Sequence, residues 1–194
     1  MNKILVYGLA ISTFVFVVSL LISSSHAQSD DFKTYTNKEM NFGIQYPSNW
    51  GKPEYENFEP EIILSVVYFD NFQVAMEEVG EPYLDTGTMT VKNISLEQRV
   101  QKELNNHASS ANEKIIRHNW VTVAEKPAYK IEYTTSHENS IPGDYDYGDP
   151  DSYSFEIFTM ANGKLYRLSY GDEQLKVPET LPLANKMVES FQIK

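Results

Sequence analysis

A short run near the beginning of the chain places apolar side chains at every second position and then stops. Phe42, Ile44 and Tyr46 occupy those positions, which is the period of a strand with one buried face. Pro47 cannot donate a ladder hydrogen bond, so it ends the strand, and Trp50 returns a large aromatic surface to the protein. The folded part of the chain is therefore predicted to open with a half-buried strand that is held by an aromatic anchor.

Several later segments also have the composition of strands. Residues 62–69 are apolar on both alternating faces, which is typical of a central strand covered on both sides. An Asn162-Gly163 pair between two apolar runs predicts a tight hairpin. Residues 51–61 are predicted to be a loop, and residues 70–87 a long acidic connection. The other predicted strands are 32–35, 88–93, 115–123, 128–135, 153–160 and 165–170.

A first helix is predicted to begin after Ser95. Ser95 and Gln98 have the spacing of a capping box, in which each side chain accepts a hydrogen bond from the other residue's backbone N–H. Arg99 and Glu103 are predicted to pair on the solvent side of this helix. An apolar stripe that recurs about every four residues is predicted to dock on the sheet. The stripe consists of Leu96, Val100, Leu104, Ala108 and Ala111.

A second helix is predicted near the end of the chain, with Pro182 in its first turn. Its buried face is predicted to consist of Leu183, Met187, Val188 and Phe191. Strands, one helix, a run of strands and a final helix together predict an α+β fold. In that fold a mainly antiparallel sheet is sandwiched by helices.

Residues 1–27 have the features of an export signal. Lys3 gives a positive start, residues 4–22 carry no charge, and small side chains precede Gln28 where signal peptidase requires them. The segment is therefore either a cleaved signal peptide or, because it is long enough to span a bilayer, an N-terminal membrane anchor. Both alternatives place the domain, residues 28–194, outside the cytoplasm. There it is either secreted or anchored to the outer face of the cytoplasmic membrane.

Charge and cysteine content exclude several classes of function. The formal net charge of −11 would repel nucleic acid and anionic bilayer surfaces, so neither is expected as a direct partner. Contact with the membrane is then expected only through residues 4–22, if they are retained. The chain contains no cysteine, which excludes disulfides, thiolate metal sites and cysteine nucleophiles.

The segment 136–151 is strongly acidic and contains no lysine or arginine. Calcium prefers several carboxylate and carbonyl oxygens on a flexible loop, so Asp144, Asp146, Asp149 and Asp151 are candidate ligands of a weak calcium site. Their spacing does not follow the EF-hand pattern. The alternative is a solvated acidic loop that aids solubility and binds no ion.

Catalytic motifs are incomplete, and no catalytic or cofactor-binding residue is predicted. His137-Glu138 begins like the zinc-protease motif, but Ile141 stands where the second histidine is required. Asp149 replaces the lysine of a phosphate-binding loop, and no Gly-x-Ser-x-Gly elbow exists. His107, His118 and His137 are predicted to be ordinary surface or hydrogen-bonded side chains. A transition-metal site of His137 with Asp144 and Asp146 would require the acidic segment to fold back.

Tyrosines are concentrated in the last third of the chain. They are Tyr145, Tyr147, Tyr153, Tyr166 and Tyr170. Aromatic side chains on an exposed sheet edge or loop can bind a protein partner, whereas the same side chains on a covered sheet are ordinary packing. Both interpretations are compatible with the pattern.

Two segments resemble a known family. Residues 42–50 have the form Phe-Gly-Ile-x-Tyr-Pro-x-x-Trp, and residues 183–191 read Leu-Ala-Asn-Lys-Met-Val-Glu-Ser-Phe after the Asn162-Gly163 turn. Both resemble PsbP-like proteins, the extrinsic photosystem II family with the Mog1/PsbP fold, and they bracket nearly the whole mature chain. The resemblance implies an α-β-α sandwich, in agreement with the arrangement predicted from the strand and helix patterns.

The residues and the resemblance together favour a non-catalytic extracytoplasmic domain. Its expected function is to bind or stabilise a membrane-associated protein complex. The alternative is a small-ligand or divalent-cation carrier of the cell envelope that uses the acidic segment. The two hypotheses differ in their expected partner, which is a protein in the first and calcium or a small molecule in the second.

Overall fold

A computed structural model describes residues 31–58, 64–79, 82–85, 88–91, 94–136 and 151–194. The first half of the chain forms β1 (Phe32–Asn37), β2 (Phe42–Pro47), β3 (Glu54–Asn57), β4 (Leu64–Phe69), β5 (Phe72–Glu78), β6 (Pro82–Asp85), β7 (Thr88–Val91) and α1 (Leu96–Ser109). The second half forms β8 (Glu113–Val123), β9 (Lys126–Thr135), β10 (Ser152–Ala161), β11 (Lys164–Glu173), α2 (Val177–Ser190) and β12 (Gln192–Ile193).

The predicted α+β fold with a mainly antiparallel sheet is confirmed. The largest sheet has the order β3-β4-β5-β11-β10-β9-β8, and every neighbouring pair in it is antiparallel. Helix α1 covers one face of this sheet. Helix α2 and a three-stranded sheet, β1-β2-β12, cover the other face. A separate two-stranded sheet, β6-β7, precedes α1.

Aromatic rings fill the layer between the two larger sheets. The ring of Phe191, at the C-cap of α2, lies 5.5 Å from that of Phe42 on β2 and 5.9 Å from that of Tyr166 on β11. The Tyr166 hydroxyl donates a 2.9 Å hydrogen bond to the carbonyl of Met40. Because Phe191 contacts both sheets and lies at the C-cap of α2, it joins α2, the three-stranded sheet and the seven-stranded sheet.

The opening strand forms as predicted. Phe42 and Ile44 are buried, Gln45 is exposed, and the strand ends at Pro47. The Trp50 amide donates to the Pro47 carbonyl at 3.1 Å, and its side chain packs at the margin of the aromatic core. The strand, its stop and its aromatic anchor are therefore confirmed.

The predicted connections 51–61 and 70–87 are partly wrong, because the first contains β3 and the second contains β5 and β6. The chain reverses at Asp70, which adopts φ 57°, and β5 then inserts between β4 and β11. Val74 and Met76 on β5 are buried, but acidic flanks conceal their alternation in the sequence. Within 51–61, β3 forms the opposite edge of the large sheet from β8. The central strand 62–69 is confirmed from Leu64 onward, and Ile62 and Ile63 lie outside the described residues.

The predicted hairpin, and a second one between β8 and β9, both form around residues with positive φ. Asn162 and Gly163 adopt φ 54° and 73° between β10 and β11, the conformation that a tight primed turn requires. Ala124 and Glu125 adopt φ 49° and 60° between β8 and β9, although neither residue is a usual occupant of that conformation. The two turns lie at the same end of the sheet.

The capping box that starts α1 is confirmed. The Gln98 amide donates to Ser95 Oγ at 3.2 Å, and the Ser95 amide donates to Gln98 Oε1 at 3.0 Å. The predicted extension of the apolar stripe is wrong, since Ala108 and Ala111 are exposed and His107 is buried instead. Position 107 is seven residues beyond Val100, and seven residues are close to two helical turns.

The pair of Arg99 and Glu103 forms, but it does not face solvent. Arg99 Nε lies 2.9 Å from Glu103 Oε1, and the side chains are only 15% and 13% exposed. The guanidinium group also donates two hydrogen bonds of 3.0 Å to the carboxylate of Glu77 on β5. Arg99 therefore ties α1 to the sheet, which is why the pair lies between helix and sheet.

Helix α2 begins earlier than predicted, so Pro182 lies inside the helix and not in its first turn. Pro178 occupies the first turn, where a missing N–H costs nothing. Met187 and Phe191 are buried as predicted, together with Ala184, whereas the other two predicted positions are only partly covered. Within the described ranges, neither helix is long and apolar enough to cross a membrane. The predicted leader, residues 1–27, lies outside these ranges.

The substitution Phe191→Ala is expected to lower the free energy of unfolding by about 3 to 5 kcal/mol, because it leaves a cavity where the three parts of the aromatic layer meet. Urea unfolding followed by tryptophan fluorescence measures this loss. The control is Leu175→Ala, since Leu175 is 88% exposed and its truncation should change stability by less than about 0.5 kcal/mol. Equal effects of the two substitutions would contradict the central position of Phe191.

Candidate functional site

The candidate calcium ligands lie almost entirely outside the described residues. Asp144, Asp146 and Asp149 are outside, and so is His137. Asp151 is described and half-buried, and its carbonyl accepts a 2.9 Å hydrogen bond from the amide of Gln174. In the described parts of the chain, no three histidine, aspartate or glutamate side chains are grouped so that they could hold a metal ion. The calcium site stays a prediction.

The described tyrosines of the last third are packing residues. Tyr166 and Tyr170 are buried, and the hydroxyl groups of Tyr170 and Thr180 lie 2.7 Å apart. Tyr153 is partly buried and donates to Glu132 at 3.0 Å. The interpretation as ordinary packing is therefore confirmed for these three tyrosines. Tyr145 and Tyr147 lie outside the described residues.

A different group of aromatic side chains is exposed, on β8 and β9. Strand β8 forms one edge of the large sheet. Trp120 is 51% exposed and Ile116 is 55% exposed. We call Ile116, His118, Trp120 and Tyr129 the edge surface. Of the four large hydrophobic side chains that are exposed in the described parts of the chain, two belong to it; the others, Phe58 and Leu175, lie elsewhere in the sequence.

Contacts between side chains give the edge surface a defined shape. The ring of Trp120 meets that of Tyr129 edge to face, with centroids 5.0 Å apart. His118 Nδ1 lies 2.6 Å from the Tyr129 hydroxyl. Trp120 pairs with Tyr129 across the strands, and His118 pairs with Ile131, so these side chains share the face of the sheet on which α1 packs. Because Trp120 remains half exposed there, α1 leaves this corner uncovered.

A β-bulge interrupts β8 beside the edge surface. The register shifts between Ile115 and Arg117, so Ile116 has no direct partner on β9. A bulge in an edge strand bends and twists it, and this discourages unspecific pairing with a second sheet. The edge surface therefore lies on a strand whose bulge disfavours edge-to-edge pairing with other sheets.

A buried carboxylate holds β8 to its neighbours from the opposite face of the sheet. Glu132 on β9 accepts from the Nε of Arg117 on β8, from Lys130 Nζ at 2.8 Å and from the Tyr153 hydroxyl on β10 at 3.0 Å. Burial opposes ionisation, but these hydrogen bonds and the charge of Lys130 lower the pKa of Glu132 to about 2. Lys130 also lies over the ring of Phe155 at 4.5 Å. The side chain thus links three strands at the edge.

A second polar cluster lies between α1 and the sheet. His107 is 7% exposed, and its ring packs against Tyr133 with centroids 4.2 Å apart. Its Nδ1 lies 2.9 Å from Glu113 Oε2, and its Nε2 lies 3.5 Å from Glu156 Oε2. Burial raises the pKa of Glu156, while Arg167 and His107 partly offset this effect.

Sequence reasoning missed both charged clusters. Glu132 and Glu156 each lie in strands that were correctly predicted, but their partners come from neighbouring strands and from α1. The one available signal was the position of His107, which lies two turns after Val100 on the packed side of α1. The pairing partners themselves depend on strand order, which the local pattern does not specify.

Comparison with known families gives one match that spans the domain. The family model described as PsbP matches residues 30–193. The matched range begins before β1 and includes β12, so it contains both ends of the described fold. No curated protein sequence matches the chain.

Solved structures of similar fold come from bacteria and yeast. The solution structure of cyanobacterial PsbP (CyanoP) from Synechocystis sp. PCC 6803 is 15% identical with a TM-score of 0.50, covering 90% of this chain and 99% of that chain. LpqN of Mycobacterium tuberculosis, described as involved in cell envelope biogenesis, is 9% identical with a TM-score of 0.45, covering 87% of each chain. The Ran-binding protein Mog1p of Saccharomyces cerevisiae is 8% identical with a TM-score of 0.44, covering 85% of this chain and 96% of that chain. At such identities the likeness to CyanoP shows the fold alone.

The substitution Glu132→Gln is expected to lower the free energy of unfolding by about 1 to 2 kcal/mol at pH 7, because it removes the charge that three donors share. The pKa of Glu132 is lower in the folded protein than its ordinary value of 4.5, so its contribution is present above that pH and is lost as the pH falls toward 2. Urea unfolding at several pH values between 2 and 7 measures the difference between variant and wild type.

The difference in the free energy of unfolding between wild type and Glu132→Gln should shrink as the pH falls from 4.5 toward 2. The matched control is Glu125→Gln, which removes the same charge from the exposed turn between β8 and β9. A constant difference between the Glu132 variant and wild type at all pH values would contradict the shifted ionisation.

Proposed function

The chain belongs to the PsbP family, and on that premise we propose that it is a non-catalytic, extracytoplasmic domain that binds or stabilises a membrane-associated protein complex. Export rests on the charge and hydropathy pattern of residues 1–27. Export is tested by expressing the full-length chain, which includes residues 1–27. A cleaved leader and a retained anchor would both place the domain on the same side of the membrane. Mass spectrometry of the N-terminus distinguishes the two forms.

The observation that carries the proposal is the half exposure of Trp120 on an edge strand. The large side chains of the aromatic layer are buried, whereas Trp120 and Ile116 are each more than half exposed. Tryptophan, with tyrosine and arginine, is enriched among the few side chains that dominate the binding free energy of a protein–protein interface. Its contact with Tyr129 presents the indole in a defined orientation before a partner arrives, which limits the entropy lost on binding.

Charge favours a protein as the partner at this surface. The net charge of −11 opposes nucleic acid and anionic lipid, and a protein surface has no fixed charge of that kind. The polar neighbour His118, on the same face as Trp120, would form part of the hydrated margin that surrounds an apolar contact in transient interfaces. The edge surface is accordingly proposed as the contact region for the complex.

Trp120→Ala is expected to weaken partner binding by about 30-fold or more, the loss typical of a central tryptophan. Stability should change little because the side chain is half exposed. The measurement is quantitative affinity capture from detergent-solubilised membranes, with the full-length chain as bait. Leu175→Ala is the control, since it truncates another exposed apolar side chain far along the chain.

A protein recovered equally by wild type, Trp120→Ala and Leu175→Ala would count against the edge surface. Recovery that depends on Trp120 alone would support it. Absence of any specific protein from the wild-type capture would count against the proposed function itself.

The alternative function is binding of calcium by Asp144, Asp146, Asp149 and Asp151. Both ends of the acidic segment are held by backbone hydrogen bonds, from Ser136 to Asn112 at 2.8 Å and from Gln174 to Asp151 at 2.9 Å. A segment whose ends are fixed loses less entropy when it closes around an ion than a free tail does.

Calcium titration by calorimetry tests this alternative. If the site exists, wild type should release or take up heat and gain thermal stability with a dissociation constant in about the millimolar range typical of weak extracellular sites. The double variant Asp144→Asn/Asp146→Asn should lose both effects. No heat and no change in melting temperature for wild type would eliminate calcium binding, and magnesium at the same concentration controls for general screening of the acidic segment.

A further inference from the structure

The last turn of α1 docks on the sheet through a histidine, although apolar side chains dock its first three turns. Leu96, Val100 and Leu104 pack against Ile131, Phe158 and Leu165 of the sheet. His107 takes the next position on that side and is 93% buried, since its exposed fraction is 7%. The first three turns of the helix are therefore held by hydrophobic contact, and the final turn by a titratable group.

Both nitrogens of the His107 ring face carboxylates that lie on different strands. Nδ1 lies 2.9 Å from Glu113 Oε2 at the start of β8, and Nε2 lies 3.5 Å from Glu156 Oε2 on β10. The Nε2 atom is buried and has no hydrogen-bond partner within the usual geometry. A neutral imidazole has one N–H, so it can donate to only one of these two acceptors. The imidazolium ion has two N–H groups and can serve both.

The charges around the ring are mainly negative. The ionisable groups around the ring are Glu103 on α1, Glu113 on β8, Tyr133 on β9, Glu156 on β10 and Arg167 on β11. The three carboxylates of this set outnumber its one guanidinium group. The ring also lies in the last turn of α1, where the helix dipole stabilises a positive charge.

We propose that His107 is a proton-operated latch, which holds the last turn of α1 against β8 and β10 when both ring nitrogens are protonated and releases it when one proton leaves. Loss of the proton removes one charged hydrogen-bond donor and leaves either Glu113 or Glu156 without it. The turn that follows has no buried apolar side chain to replace the lost contact, because Ala108 and Ser109 are exposed.

The latch operates in a limited pH range. Loss of the ring proton as the pH rises weakens docking of the last turn. At the acid end, burial raises the pKa of Glu156, so this carboxylate takes up a proton early and stops attracting the ring. Docking of the last turn is therefore tightest in mildly acidic solution and looser on either side.

Amide hydrogen exchange of the intact protein tests the latch. In wild type, protection of the amides in residues 105–110, corrected for intrinsic exchange rates, should fall about 10-fold between pH 6 and pH 8. His107→Gln should abolish this pH dependence. His118→Gln, which changes the exposed histidine on β8, should leave it as in wild type.

Two outcomes would overturn the proposal. One is a pH dependence of protection that persists in His107→Gln, and the other is its absence in wild type. If His107→Gln fails to fold, the nitrogen chemical shifts of His107 in wild type decide the question. Two protonated nitrogens at pH 6 and a single one at pH 8 support the latch, and a neutral ring at pH 6 rejects it.

Discussion

The large antiparallel sheet needs cover on both faces, and it obtains that cover by two different kinds of chemistry. One face is sealed by stacked rings and by a second sheet, with Phe191 in contact with Phe42 and Tyr166. The other face has one helix, a small apolar cluster and a set of ion pairs around Arg99 and His107. The first kind of cover depends little on solution conditions, because it consists of dispersion and burial. The second responds to salt and protons, since charged contacts are screened and titrated.

Incomplete cover on the α1 face is what gives the molecule a distinct surface. The helix crosses the sheet and leaves the corner at Trp120 and Tyr129 open, while Glu132 fixes the edge strand from the other face. A rigid strand with an open aromatic corner is suited to holding a partner in one orientation. The proposed contact region is therefore exposed because the single helix α1 is too short to cover the whole face of the seven-stranded sheet.

The sequence predicted those features that depend on local period and turn chemistry. The strand at Phe42, the Asn162-Gly163 hairpin and the Ser95 capping box all formed because their determinants lie within a few residues of one another. Strand β5 was missed since acidic residues flank its short apolar core, and its pairing with β11 depends on residues about ninety positions away. The partners of His107 and Glu132 were missed for the same reason: they are set by strand order and helix docking, and no local pattern records these.

Strand β2 has an unusual dependence on the far end of the matched domain. On one side it pairs with β1, its neighbour in sequence, but on the other it pairs with β12, where Gly43 faces Gln192. The amide of Lys194 also donates to the carbonyl of Asn41 at 2.9 Å. During synthesis, β2 can pair with β12 only after nearly the whole domain has been made. Because this contact joins opposite ends of the matched domain, the three-stranded sheet can be completed only after its last strand has been made, and we expect it to be among the last parts of the fold to form.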